Sequence, residues 1–169
     1  IHRPIENMSR ICSTLYIIAV MGMGLLSSCN RHTVYDHYSH TPIAGWEKND
    51  TLVFDIPKLT AGGMYQQFLG LRINGAYPFM SLYLIVEQTI EPQHRVLTDT
   101  LNCRLINQKG ISEGQGISYY QYNFPITRID LQAGDSLHVC IRHGMKRDIL
   151  PGIADIGLRM IRDDRQPAH

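Results

Sequence analysis

Charge of one sign is what this chain most lacks. Its 16 Lys and Arg stand against 15 Asp and Glu, a formal net charge of +1. Without a basic excess, or a basic stripe with interleaved aromatics, nothing draws polyanions from a distance, and nucleic acid is not expected as a partner. Cysteine is scarce at four residues, too few for a disulfide-built scaffold. No His-Glu-x-x-His zinc motif, nucleophile elbow or Gly-Lys-Ser/Thr phosphate loop occurs. The glycines at 110, 114 and 116 are followed by no helix pattern and read as an inter-strand loop. Glu87, Glu91, Asp99 and Glu113 show no spacing that sets a catalytic pair. The chain is therefore read as non-catalytic, with no cofactor and no metal site.

Long apolar runs are also absent, with one exception near the N-terminus. The sequence opens on Ile1, and Met8 is the expected start. Ser9 and Arg10 then form a short positive region before the apolar segment Ile11 to Leu26. This has the form of a cleaved, helical signal peptide and is short for a membrane span of about 20 residues. It ends in Leu26-Ser27-Ser28-Cys29, which matches the lipobox of bacterial lipoproteins. Small residues before the cut suit a peptidase cleft, and the Cys29 thiol would lie at the membrane surface to receive lipid. Two or three acyl chains at about 0.8 kcal/mol per buried methylene make a lasting anchor. The expected membrane contact is through acyl chains on Cys29.

The expected organisation is a signal peptide over 1–28, a lipidated flexible tether over 29–45, a β-sandwich domain over 46–162 and a disordered tail over 163–169. The tether is polar and carries Pro42, His32, His37 and His40 without a hydrophobic period. Asp36, His37 and His40 include metal-ligating types, but they match no closed zinc pattern, and a flexible segment would bear the ordering entropy itself. A linker is the favoured reading.

From Trp46 onward, short β-type segments alternate with turn residues. Strands are expected at 51–56, 64–73, 81–90, 96–106, 117–126, 136–142 and 153–162. Asn74-Gly75 is a turn signal, and segments 64–73 and 81–90 are expected to pair antiparallel across it. The pattern argues for an all-β antiparallel sandwich or jelly roll. Cys103 shares strand parity with Leu101 and Leu105, whereas Cys140 is out of phase with Leu137, Val139 and Ile141. An exported protein could carry a bridge between them, but this parity weighs against it. His138 and His143 read as surface or structural residues. Trp46, Tyr77 and Tyr119, with Phe79 and Tyr83, are the candidate aromatics for an interaction surface, with core packing as the alternative.

The lipobox, Trp46-Glu47-Lys48-Asn49-Asp50, Leu71-Arg72-Ile73-Asn74 and Tyr77-Pro78-Phe79 resemble the gliding-motility lipoproteins called GldH. Asp99-Thr100, the spaced glycines, His143-Gly144-Met145 and the run from Leu150 to Arg159 look like that family's closing segment. The resemblance covers nearly the whole mature chain. It implies a Bacteroidetes envelope lipoprotein, an accessory or scaffold associated with gliding motility and type IX secretion, with envelope protein partners. Asn30-Arg31-His32 lacks an acidic surface-export cluster, so the periplasmic face of the outer membrane is expected. The runner-up is a carbohydrate- or peptide-binding jelly roll with convergent aromatics on a concave face.

Overall fold

Apolar residues recur at every second position along this chain, and each such run becomes a strand with one face turned inward. The computed structural model describes residues 32–163. The signal segment, the lipobox with Cys29, and the tail from 164 lie outside the described residues. Ten strands follow in order: β1 (Thr33–His40), β2 (Trp46–Glu47), β3 (Leu52–Ile56), β4 (Gly63–Asn74), β5 (Ser81–Glu91), β6 (Arg95–Arg104), β7 (Tyr119–Leu131), β8 (Ser136–His143), β9 (Ile149–Leu150) and β10 (Ile153–Asp163).

One four-stranded sheet has the order β1-β10-β4-β7, and the other β3-β8-β5-β6, while β2 and β9 pair separately. All pairings are antiparallel. The eight long strands largely alternate between the two layers, as in a jelly roll, so the expected all-β sandwich is what forms. Tyr65, Leu69, Leu71, Leu158 and Met160 of one sheet share a single core with Phe54, Leu82, Leu84, Val139 and Ile141 of the other. Within that core, Gln67 of β4 donates from Nε2 to Oε1 of Gln88 on β5 at 2.7 Å, with both side chains buried. A hydrogen bond in so apolar a setting pins the offset of the two layers, because a slip would leave both amides unmatched.

Three expectations need correction. The segment expected as a tether over 29–45 is ordered from Thr33, where β1 pairs with β10. The folded domain therefore begins before residue 46. Strands β4 and β5 do not pair across Asn74-Gly75; β4 lies between β10 and β7, and β5 between β8 and β6. The connection from Asn74 to Ser81 crosses between layers instead of folding back within one. At the far end, Asp163 is the last residue of β10 and not the start of a tail.

β1 holds to the sheet by an arrangement that its polar sequence hides. Tyr38 lies opposite Gly157, which in turn lies opposite Gly70 of β4. A Cβ at either glycine would come under 3.0 Å from Tyr38 ring carbons. The two glycines thus form a notch that the tyrosine ring fills, the aromatic covering backbone that has no side chain of its own. The Tyr38 hydroxyl accepts from Nε2 of Gln121 on β7 at 3.4 Å, so one side chain reaches across the sheet. At the end of β1, His40 Nδ1 meets the Asp155 carboxylate, which also accepts from Arg72 Nη1 at 3.2 Å. Thr41 Oγ1 then donates to the carbonyl of Ile153 at 2.5 Å.

At the sheet's other edge, Pro125 lacks a donor, and the register with β4 shifts there. Gln66 Nε2 donates to the carbonyls of Gln67 and Thr127 at 2.9 and 3.1 Å, which satisfies the irregular backbone. Cys103 and Cys140 are both free thiols. Cys103 lies in the core, where burial pushes its pKa up to about 12. Cys140 faces away from the core, with burial, Glu87 and Asp55 raising its pKa.

Two predictions follow from these contacts. Tyr38→Ala should lower the unfolding free energy by about 1–2 kcal/mol and speed amide exchange selectively in β1; Gly157→Val, which evicts the ring, should cost more. Urea titration and hydrogen-exchange mass spectrometry on the mature chain check both. A maleimide at pH 8 should modify Cys140 in the folded protein and reach Cys103 only after denaturation, as read by peptide mass spectrometry.

Candidate functional site

Because β1 enters the sandwich at Thr33, the direction of every strand is set relative to that point. The end holding Thr33 and Asp163 is here called the base, and its opposite the distal end. Base connections are short: residues 57–62, 92–94 and 132–135. The distal connections 41–51, 75–80, 105–118 and 144–152 are mostly longer, and the first and last carry β2 and β9.

These distal segments have a built interior. Trp46 is fully buried, donates from Nε1 to the Asp50 carbonyl at 3.0 Å, and meets the His143 ring edge-on at 5.3 Å. His143 Nε2 donates to the Trp46 carbonyl at 3.2 Å. Burial lowers the His143 pKa, helped by Lys48, while the Trp46 and Asp148 carbonyls pull the other way. Tyr77 is 8% exposed, donates to the Ser81 carbonyl at 2.9 Å and packs edge-on against Phe79. Trp46 and Tyr77 are therefore packing residues and not the interaction surface expected of them. Each ring can face inward because its polar atom finds a nearby backbone carbonyl, Asp50 in the loop for Trp46 and Ser81 at the start of β5 for Tyr77. Tyr119, at 51% exposure, is the one of the three that faces solvent, and Tyr83, on the other sheet, is also exposed.

Apart from Tyr119 and Tyr83, the exposed apolar side chains on this end are aliphatic. Ile43, Met80, Ile111 and Ile117 lie in distal loops and Ile149 in β9, all exposed, with Ile43 and Ile117 almost wholly so. Every exposed Ile or Met among the described residues is at this end. The distal segments also carry Lys48, Lys109, Lys146 and Arg147 against Glu47, Asp50, Glu113 and Asp148, which balance. An apolar, electrically neutral rim suits another protein surface better than a charged polymer. Single aliphatics in loops are ordinary on surfaces, so the signal is visible only once the topology gathers them at one end.

Beside the rim, a cleft of about 440 Å³ is lined by Arg104, Glu113, Gln115, Gln121, Tyr122, Asn123 and Phe124. Arg104 and Glu113 pair across it at 3.3 Å. Gln115 and Gln121 exchange backbone hydrogen bonds at its edge. Tyr122 stacks on Phe124 at 5.9 Å between centroids, and its hydroxyl is bonded to Ser112 and to the Leu105 carbonyl. The cleft thus offers carboxamides and one ion pair but little open ring face. Among the described residues, no three His, Cys, Asp or Glu side chains group as a metal site. His138 pairs with Asp55 at the surface, at 2.6 Å.

A profile of the GldH lipoprotein family matches residues 33–160. Among curated proteins, the chain is 30% identical over 155 residues to the gliding motility lipoprotein GldH of Flavobacterium johnsoniae, covering 87% of this chain and 96% of that protein. It is 28% identical to the GldH homolog of Christiangramia forsetii, covering 83% and 90%. Among solved structures, the α-glucuronidase BtGH115A aligns with 81% of this chain over 18% of its own length, at a TM-score of 0.44 and 12% identity. The globular domain of zebrafish complement 1qA protein aligns with 78% over 98% of its length, at a TM-score of 0.40 and 11% identity. Both structures are distant likenesses.

The His143 environment sets a pH dependence. The folded-state pKa is depressed, so the unfolded chain binds the proton more readily. The stability this neutral histidine contributes is complete above the unfolded value of about 6.5 and is lost as pH falls from there through the lower folded value. The urea midpoint should therefore drop between pH 7.5 and 5, and His143→Gln should flatten that slope, as followed by tryptophan fluorescence of Trp46.

Proposed function

Since the chain belongs to the GldH lipoprotein family, whose members are lipid-anchored proteins of the cell envelope, we propose that it is a non-catalytic accessory that docks an envelope protein with its distal end. The observation that carries this is the gathering of Ile43, Met80, Ile111, Ile117 and Ile149 at the end opposite the point where the chain enters from Cys29. In this reading Cys29 carries the lipid, and the protein faces the periplasm from the outer membrane. The relatives' name ties them to gliding motility, and the proposed docking role is an accessory one in such an apparatus or in a related envelope assembly.

The lack of an acidic cluster in Asn30-Arg31-His32, directly after Cys29, supports the periplasmic placement. The balanced charge of the distal segments supports a protein partner, since it neither attracts nor repels a charged surface. A second reading, binding of a short saccharide or peptide, is favoured only by the cleft beside β7. Its carboxamides suit hydroxyl-rich ligands, while the inward commitment of Tyr122 leaves little ring face for stacking.

The test is made in a Bacteroidetes host. Palmitate should label the wild type and not Cys29→Ala, which should leave the membrane fraction. A photo-crosslinking residue at Ile117 or Ile149 should capture the same stoichiometric envelope protein, whereas one at Val96 of the base should not. Ile43→Asp with Ile117→Asp should abolish that capture without changing the urea midpoint. Equal capture from both ends would refute distal docking, and a glycan that binds tightly and is lost with Gln121→Ala would favour the cleft.

A further inference from the structure

The stance of the sandwich on its membrane can be derived from chain length, and it rests on the reading that Cys29 carries the lipid. Only Asn30, Arg31 and His32 separate Cys29 from Thr33, the first residue of β1. Four Cα-to-Cα steps span at most about 14 Å however the chain is drawn out. The backbone ladder also reaches back to His32, whose carbonyl accepts from the Arg162 amide at 2.7 Å. By contrast, the 12 residues of β4 run from base to distal end and extend roughly 40 Å at a strand's rise. A leash about a third as long as the body it holds does not let that body lie end over end. The leash keeps the base within about 14 Å of the lipid and excludes an inverted body.

The chemistry of the base agrees with such a seat. Its exposed side chains include Lys58, Gln93, Arg95 and Gln132, with Val96 beside them. Arg95 Nη2 donates to the Asp130 carbonyl, and His94 pairs with Glu91, so the ends of β5, β6 and β7 are tied to one another. No exposed Ile, Leu, Met or aromatic residue lies in the base connections. Such a surface rests among polar headgroups and does not insert in the acyl region, where Trp, Phe or Leu would be needed.

We propose that the base, formed by residues 57–62, 92–95 and 132–135, seats on phospholipid headgroups. The sandwich then stands with its strands raised from the bilayer and holds the apolar rim roughly 40–55 Å above it. The partner must present its own surface within that layer. This short lipid leash acts as a height gauge as well as an anchor.

The experiment uses the full mature lipoprotein with its native acyl chains, reconstituted in phosphatidylethanolamine and phosphatidylglycerol vesicles. In a Cys140→Ser background, a fluorophore is attached at Gln93→Cys for the base or Lys109→Cys for the distal end. Lipids spin-labelled on the headgroup then serve as quenchers. The expected result is several-fold stronger quenching at the base. A flexible Gly-Ser segment inserted after Asn30, long enough to span the sandwich, should bring the base signal down towards the distal one. Equal quenching at both ends, or no effect of the insertion, in protein that floats with the vesicles overturns the proposed stance. Protein that fails to float, or Cys29→Ala that floats equally well, refutes the anchoring reading itself and the stance with it.

Discussion

Everything the domain presents to its surroundings depends on the docking of β1 against β10. β1 is an edge strand, and it is the segment through which the chain enters the fold. Without it, β10 would expose its backbone along the edge, an open row of donors and acceptors prone to wrong pairing. Its polar sequence supplies little hydrophobic drive, so geometry takes over: a register of paired residues from Thr33 to His40, the Tyr38 ring in the Gly157–Gly70 notch, and Asp155 shared between His40 and Arg72. Asp155 is almost fully buried, and a carboxylate there is tolerable only because two donors meet it. Removal of either donor leaves a charge short of partners inside the fold.

The distal end applies the same logic to loops. Long connections over an open sandwich end would ordinarily be mobile, but these are fastened from within by Trp46, His143 and Tyr77. Trp46 Nε1, His143 Nε2 and the Tyr77 hydroxyl each bond to a backbone carbonyl, which lowers the cost of burying these rings. With Trp46 and Tyr77 spent on cohesion, the exposed apolar surface of this end is mostly aliphatic. Below them, the Gln67–Gln88 hydrogen bond holds the two layers in one alignment, so the rim is carried on a stiff body.

Most strands were legible because alternation is a strong signal wherever one face meets a core. All seven segments expected from 51 to 162 correspond to strands, with boundaries displaced by a few residues. β1 is hidden in the sequence because Thr-Val-Tyr-Asp-His-Tyr-Ser-His shows no apolar period, and the notch that receives Tyr38 is made by glycines of two other strands, Gly157 and Gly70. β2 and β9 are two residues each, too short for any pattern. The Asn74-Gly75 turn was real, yet a turn does not say whether the chain returns within its sheet or crosses to the other layer. Trp46 and Tyr77 carried the usual marks of binding residues, and only the carbonyls that receive their donors reveal them as interior. The aliphatic rim was invisible for the opposite reason, since its members are scattered through four connections and meet only in space.

The entry of the chain at the base end of β1 has a mechanical consequence. A load applied between the Thr33 end of β1 and the distal loops runs along the axis of β1, in line with its neighbour β10. The hydrogen bonds of the ladder lie across that axis, so they resist together, in shear, and none can be peeled ahead of the rest. The same strand tugged from its His40 end would unzip bond by bond. The edge that looks weakest in composition is thus built as a tension joint, strongest along its own axis.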